Sequence, residues 1–288
     1  MAVCYRHPNR ETGVSCSNCG KPICPDCMTA TPVGMRCPDC SRQKTPVRSM
    51  RNIYADPTAT YVLMGLNILL WVGMLLSGGT TSSVYIDLGL IGSASFQGDP
   101  IGVANGEVYR LITGAFLHDP SNPLHLFFNM YILYWLGTML EPVLGHVRFL
   151  ALYFASLLAG SFGALLLSAP TALTTGASGA VFGLMAAAFI MQRARGINPM
   201  QSGLGAVILL NLAISFIVPG ISIGGHLGGL VGGGLAALAI DRVSAGRRAT
   251  YLPVLACAGI ALLAVGGAIA VSDHKAAQIG LAMIGFPT

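Results

Sequence analysis

The chain is 288 residues long, with 53% hydrophobic and only 9% charged residues, against the roughly 25% charged residues of an ordinary soluble domain. That composition excludes a soluble globular protein and assigns the chain to a bilayer. Its net charge of +5 sits in short basic segments between apolar runs, a distribution that orients membrane spans and speaks against a nucleic-acid partner.

The first 41 residues form a compositional unit of their own. Seven of the eight cysteines fall within the first 40 residues, and with one histidine they make four close pairs: Cys4 with His7, Cys16 with Cys19, Cys24 with Cys27, and Cys37 with Cys40. Each pair offers two soft donors on one tight turn, and two such turns complete a tetrahedral zinc site. The segment holds too few apolar residues for a core, so metal binding would supply its folding free energy. The competing reading is a disulfide framework, which needs an oxidising compartment. Cys4, Arg6, His7 and Arg10 interrupt any apolar h-region, so the start does not read as a signal peptide.

The order of the pairs resembles the B-box and related cross-braced zinc fingers, in which the first and third pairs share one metal and the second and fourth share the other. That resemblance implies one site of Cys4, His7, Cys24 and Cys27 and a second of Cys16, Cys19, Cys37 and Cys40. Eight ligands with no open position imply two structural zinc ions. The finger is expected over residues 1–41. A basic juxtamembrane linker follows over 42–59, with Arg42, Lys44, Arg48 and Arg51.

Seven apolar stretches come next: Thr60 to Leu76, Leu124 to Leu140, Phe149 to Leu167, Gly179 to Met191, Met200 to Val218, Ile221 to Ile240, and Leu252 to Val271. The first six make a core domain over 60–241; residues 242–288 hold a loop, the seventh span and a tail. If the spans alternate, Arg42 to Arg51, Arg148, Arg193, Arg195, Arg242, Arg247 and Arg248 share one side, opposite Arg110 and Lys275. The positive side is cytoplasmic, which places the N-terminus inside, keeps thiols reduced and favours zinc over disulfides.

Even-numbered spans then start at the outer face, and three of them open on polar groups: His125 with Asn129, Ser178, and His226. Polar side chains at such depth are costly and mark function. The fourth apolar run rises only about 20 Å against a hydrocarbon thickness of about 30 Å, so the polar stretch from Thr171 to Gly176 must bridge the gap. Such backbone is tolerated where it is buried in protein or faces a watery cavity, with Ser178 at the floor.

A serine at a helix N-terminus has free N–H groups and the positive dipole end beside it, both suited to an oxyanion. It needs a base, and His226 is the histidine at matching depth. Gly224, Gly225, Gly228 and Gly229 let the sixth helix press against a neighbour, expected to be the fourth. His125 and Asn129 share one helix face, where they could donate to the oxyanion; the alternative is bonding between helices. Glu141 and Asp241 lie at helix ends and leave no acid at this depth, so a Ser-His dyad is expected.

Together the His125-x-x-x-Asn129 element, Gly176-Ala177-Ser178-Gly179 and the glycine-flanked His226 resemble the rhomboid intramembrane serine proteases, over roughly Tyr61 to Ile240. Glu107-Val108-Tyr109-Arg110 is similar to that family's Trp-Arg element, with tyrosine for tryptophan. Phe182 stands where the family often has a tyrosine stacked on the catalytic histidine. The resemblance implies Ser178 as nucleophile, His226 as general base, and the Ser178 N–H with His125 and Asn129 as oxyanion donors. Gly176, Gly179, Phe182 and Arg110 would support them. His118 stays unassigned, and Cys257 reads as packing.

The implied fold is an all-α polytopic membrane protein, a six-helix rhomboid core plus one extra C-terminal helix, preceded by a small cytoplasmic two-zinc finger. The implied setting is a bacterial plasma membrane, with the site opening to the outer face and no cofactor for catalysis. Substrates would be transmembrane segments rich in weak helix formers, entering between the second and fifth helices under the loop from Val218 to Ile223. The finger would hold a cytoplasmic protein partner. The rival is a catalytically weak rhomboid-like protein that binds membrane clients under control of the finger. Such a protein would have lost the serine or the histidine, and both are present. A transporter should show repeated halves, and an adaptor would need a single span.

Overall fold

The computed structural model describes residues 2–42, 56–218, 220–244 and 251–284. The chain divides into two compact units, 1–53 and 54–288.

Among the described residues the small unit has two antiparallel ribbons, β1 (Ala2–Val3) with β2 (Glu11–Thr12) and β3 (Thr29–Thr31) with β4 (Gly34–Arg36), and two helical turns, a 3-10 turn at Pro25–Cys27 and α1 (Pro38–Ser41). Its core is six cysteines and Ile23. One buried aliphatic side chain cannot offset the ordering of such a segment, so what joins the sulfurs decides its stability.

Among the described residues the large unit carries seven long helices: α2 (Thr58–Leu76), α5 (Pro123–Leu144), α6 (His146–Leu167), α7 (Ser178–Ala194), α8 (Leu204–Ile217), α9 (Ile223–Ser244) and α10 (Leu252–Ile284). Among the described residues α2, α6, α9 and α10 are long and apolar enough to cross a membrane, and α7 and α8 are shorter apolar helices. Leucines, valines and aromatics of α2, α5, α8 and α10 are exposed, including Leu69, Phe127, Phe216 and Leu263. Such outward faces suit lipid, and the chain is an all-α integral membrane protein.

Three ends differ from the apolar runs. Helix α7 continues through Gln192, Arg193 and Ala194, since polar residues sustain a helix once it has started, and at 17 residues it spans about 25 Å. Helix α10 does not stop near Val271. It carries Asp273, His274 and Lys275 inside the helix, and Lys275 Nζ donates to the Leu165, Leu166 and Ser168 carbonyls, capping the end of α6. Thr58 and Ala59, expected in the linker, belong to α2. Residues 43–55 of that linker lie outside the described residues, as do Pro219, Arg247 and Arg248.

The long first loop is built, not slack. It contains α3 (Ser83–Leu88), a hairpin of β5 (Ala94–Phe96) and β6 (Asp99–Ile101), and α4 (Arg110–Thr113). The centre of the unit is α6, α7 and α9, packed backbone to backbone through glycine. A Cβ at Gly163 would strike Gly224, one at Gly179 lies against Gly160, and one at Gly233 would strike Gly183. The sixth long helix therefore presses on two neighbours, α6 as well as α7. Absent side chains allow that approach, which is how helices associate without a hydrophobic drive between them.

Candidate active site and metal centres

Ser178 is the first residue of α7, with Ala177 at the N-cap. The segment before it is extended, and its backbone is satisfied by the first loop. Thr174 exchanges both backbone bonds with Leu90, and Gly176 N–H donates to the Gly114 carbonyl. Arg110, buried, holds that loop in turn. Its guanidinium donates to Glu107 Oε2 at 2.7 Å and to the Ile86 and Gly89 carbonyls at 2.6 and 2.8 Å. Burial alone would raise the Glu107 carboxyl, but Arg110 and the Gly102 N–H outweigh it and hold it below its usual range.

His226 lies in the first turn of α9, 7% exposed. Its ring stacks on Phe182, one turn into α7, with centroids 4.2 Å apart and planes at 20°. The sequence missed its second partner: Ser215 of α8, whose Oγ is 2.5 Å from His226 Nδ1. Nε2 is thus the ring nitrogen left without a hydrogen bond among the described residues.

His125 is set by the cap of its own helix, since Asn122 Oδ1 accepts from its backbone N–H. The stretch before it is a turn in which Asp119 Oδ1 accepts from the Ser121 N–H and hydroxyl. The vacant Cβ position of Gly176 lies 3.0 Å from His125 Nε2 and 3.9 Å from Ser178 Oγ, which puts imidazole and hydroxyl in one corner. Asn129 is buried, and its Nδ2 donates to the His125 carbonyl at 2.9 Å, leaving its second N–H. His118 is fully buried, 5.1 Å from the His125 ring by centroid, with no partner for either ring nitrogen among the described residues. Burial and the neighbouring His125 push its imidazole down, so it is neutral at ordinary pH. Gly179 gives α7 its close approach to Gly160 and Gly229, and Cys257 is buried in the apolar core.

In the small unit the ligand atoms of Cys4, His7, Cys24 and Cys27 all lie within 4.8 Å of one another, and so do those of Cys16, Cys19, Cys37 and Cys40. A thiolate-bound tetrahedral zinc would have sulfur–sulfur edges of about 3.8 Å and nitrogen–sulfur edges of about 3.5 Å. Cys19 Sγ to Cys37 Sγ is 3.8 Å, and His7 Nδ1 stands 3.3 to 3.8 Å from its three sulfurs. A disulfide would need about 2.05 Å. Backbone N–H groups of Cys37 and Cys40 and the Asn18 amide point at sulfurs, as suits thiolates. Both third-and-fourth-pair turns read Cys-Pro-Asp-Cys, and Asp26 and Asp39 pair with Arg10 and Arg6, clasping the first loop of the unit to both turns. Two clusters able to hold metal ions are therefore present.

Residues 105–242 match the Rhomboid domain. The chain is 32% identical over 180 residues to the rhomboid-family protein YdcA of Bacillus subtilis (strain 168), a match covering 62% of this chain and 85% of YdcA. This chain belongs to the rhomboid family. It is also 33% identical over 209 residues to the rhomboid protease GluP of the same organism, covering 71% of this chain and 39% of GluP. Rhomboid-like protease 1 of Toxoplasma gondii is 30% identical over 204 residues, 65% of this chain and 66% of that one. The chain thus spans less than two thirds of two of these three relatives. Ser178, His226, His125 and Asn129 all fall inside the rhomboid domain, and both metal clusters precede it.

Proposed function

We propose that this rhomboid is an active intramembrane serine endopeptidase that cleaves transmembrane protein substrates through a Ser178–His226 dyad. The observation that carries the proposal is the stack of His226 on Phe182, which lies one turn after Ser178 on the same helix. Ser178 Oγ attacks the scissile carbonyl and its proton passes to His226 Nε2; the C–N bond then breaks as that proton goes to the leaving amine, and water releases the acyl group. The Ser178 N–H, the His125 imidazole and the free N–H of Asn129 stabilise the oxyanion.

Residues 1–41 form the finger, with two structural zinc ions and a B-box-like ligand order, and 60–241 form the protease core. The positive residues support a cytoplasmic N-terminus in a bacterial plasma membrane and a site open to the outer face. Exposed apolar side chains on α5 and α8 support lateral substrate entry between them, and a finger beside the membrane suits a cytoplasmic protein partner.

The test is cleavage of membrane-spanning substrates in liposomes by wild type, Ser178→Ala and His226→Ala. Both variants should insert normally and lose cleavage, and the double variant should be no worse than either, since nucleophile and base act as a unit. Substrate capture without cleavage by the wild type would favour the client-binding reading.

A further inference from the structure

We propose that Ser215, on α8, is a positioning residue for His226: it fixes the imidazole in the tautomer and rotation that leave Nε2 free to take the Ser178 proton. This rests on the reading of His226 as the general base. Ser215 is 2% exposed, a buried polar side chain on a helix whose other faces carry exposed Leu209, Leu210, Ile214, Phe216 and Ile217. Its hydroxyl has one hydrogen and two acceptors in reach, the Asn211 carbonyl at 2.7 Å and His226 Nδ1 at 2.5 Å. A carbonyl oxygen can only accept, so when the hydroxyl hydrogen goes to Asn211 the shared bond to His226 requires Nδ1 to be the donor. The neutral imidazole then carries its hydrogen on Nδ1 and its lone pair on Nε2.

Stacking on Phe182 sets the plane of the ring but leaves rotation within that plane free. The Ser215 bond removes that freedom, so two contacts from two helices define the orientation. The same role falls to a carboxylate in a Ser-His-Asp triad, where the wrong tautomer alone is severely damaging. Here the acceptor is a neutral hydroxyl, so tautomer and orientation are supplied without a buried charge. During transfer the imidazolium keeps its Nδ1 hydrogen on Ser215 and passes the Nε2 hydrogen to the leaving amine. Because Ser215 belongs to α8 and His226 to α9, the base is aligned only while these helices are together.

The experiment uses the full chain in liposomes with a quenched fluorescent transmembrane substrate, comparing Ser215→Ala, Ser215→Val and Ser215→Thr. Threonine and valine have the same bulk, and only threonine can bond Asn211 and His226. Alanine and valine should lower kcat about 10- to 100-fold with KM changed less than about threefold, the same loss as removing a partner that orients a metal-bound histidine. Threonine should keep kcat within about threefold of wild type. Thermal unfolding should not separate threonine from valine, an outcome that a packing role alone cannot combine with the split in kcat. An active wild type with an equally active valine variant, or threonine and valine falling together, overturns this inference alone. A wild type no faster than Ser178→Ala overturns the protease reading and this inference with it.

Discussion

Gly176 concentrates two constraints in one residue. Its φ of +129° is a conformation that side chains rarely adopt, and a Cβ there would sit 2.9 Å from His125 Cε1. Gly176→Ala should therefore cost about 1–3 kcal/mol of backbone strain and displace the His125 ring from the corner it shares with Ser178. We expect kcat to fall at least tenfold, with a lower thermal midpoint, measured on the reconstituted variant. A variant matching wild type in both would remove His125 from the oxyanion role. At this scale the motifs were legible where spacing is chemistry: Ser178, His226, and His125 with Asn129 all stand out because polar groups in apolar runs are costly. Ser215 was not legible. A serine in an apolar helix looks the same whether it bonds its own backbone or a neighbour's imidazole, and only the approach of α8 to α9 tells them apart.

Elements reach the site through backbone, and Arg110 is where that coupling begins. It holds Ile86 and Gly89, the adjoining Leu90 pairs with Thr174, and Thr174 leads through Gly176 to Ser178. Replacing Arg110 by alanine leaves Glu107 and two carbonyls without their donor, a loss of about 3 kcal/mol, at the low end for a buried pair because Glu107 keeps some contact with water. Lysine should rescue poorly, since it lacks the planar fork that serves a carboxylate and carbonyls together. The pH dependence follows from the lowered Glu107 carboxyl. A depressed folded pKa gives stability that is complete above the ordinary carboxylate value of about 4.3 and is lost as pH falls, so acid should loosen the first loop in wild type and less so in Arg110→Ala. Hydrogen exchange of residues 83–113 at pH 7 and pH 4 checks both statements. Glu141 shows what hydropathy hides in the same way. Placed by the sequence at a helix end, away from the depth of Ser178, it is fully buried and accepts from the Ala59 N–H, the Thr60 N–H and the Thr60 hydroxyl, capping α2 from another helix. The seven long helices were visible as apolar runs, but caps that cross from α5 to α2, or from α10 to α6 through Lys275, depend on which helices become neighbours.

Across the whole molecule, the candidate active site and the two clusters able to hold metal ions fall in different units, each with its own core. The Ser178 site draws on α5, α7, α8, α9 and the first loop, all within residues 54–288, whereas the small unit has little beyond sulfur to hold it together. Deleting residues 1–41 should therefore leave cleavage of a model substrate in liposomes within about threefold of wild type, the helix-based site being complete without it. Chelation should act differently on the two parts. The purified chain should carry two zinc ions, and their removal should unfold the finger, because binding and folding free energy are the same quantity where no apolar core exists. Metal analysis of protein prepared under reducing, chelator-free conditions, with circular dichroism of the isolated finger before and after chelator, reads both outcomes. Absence of metal would overturn the zinc assignment, and loss of cleavage by the truncated protein would show that the finger supports the catalytic unit. If both expectations hold, the finger acts on which substrates or partners are presented and not on the rate of bond breaking. The effect of its deletion should then appear in cells as altered substrate choice while kcat on a single purified substrate stays the same.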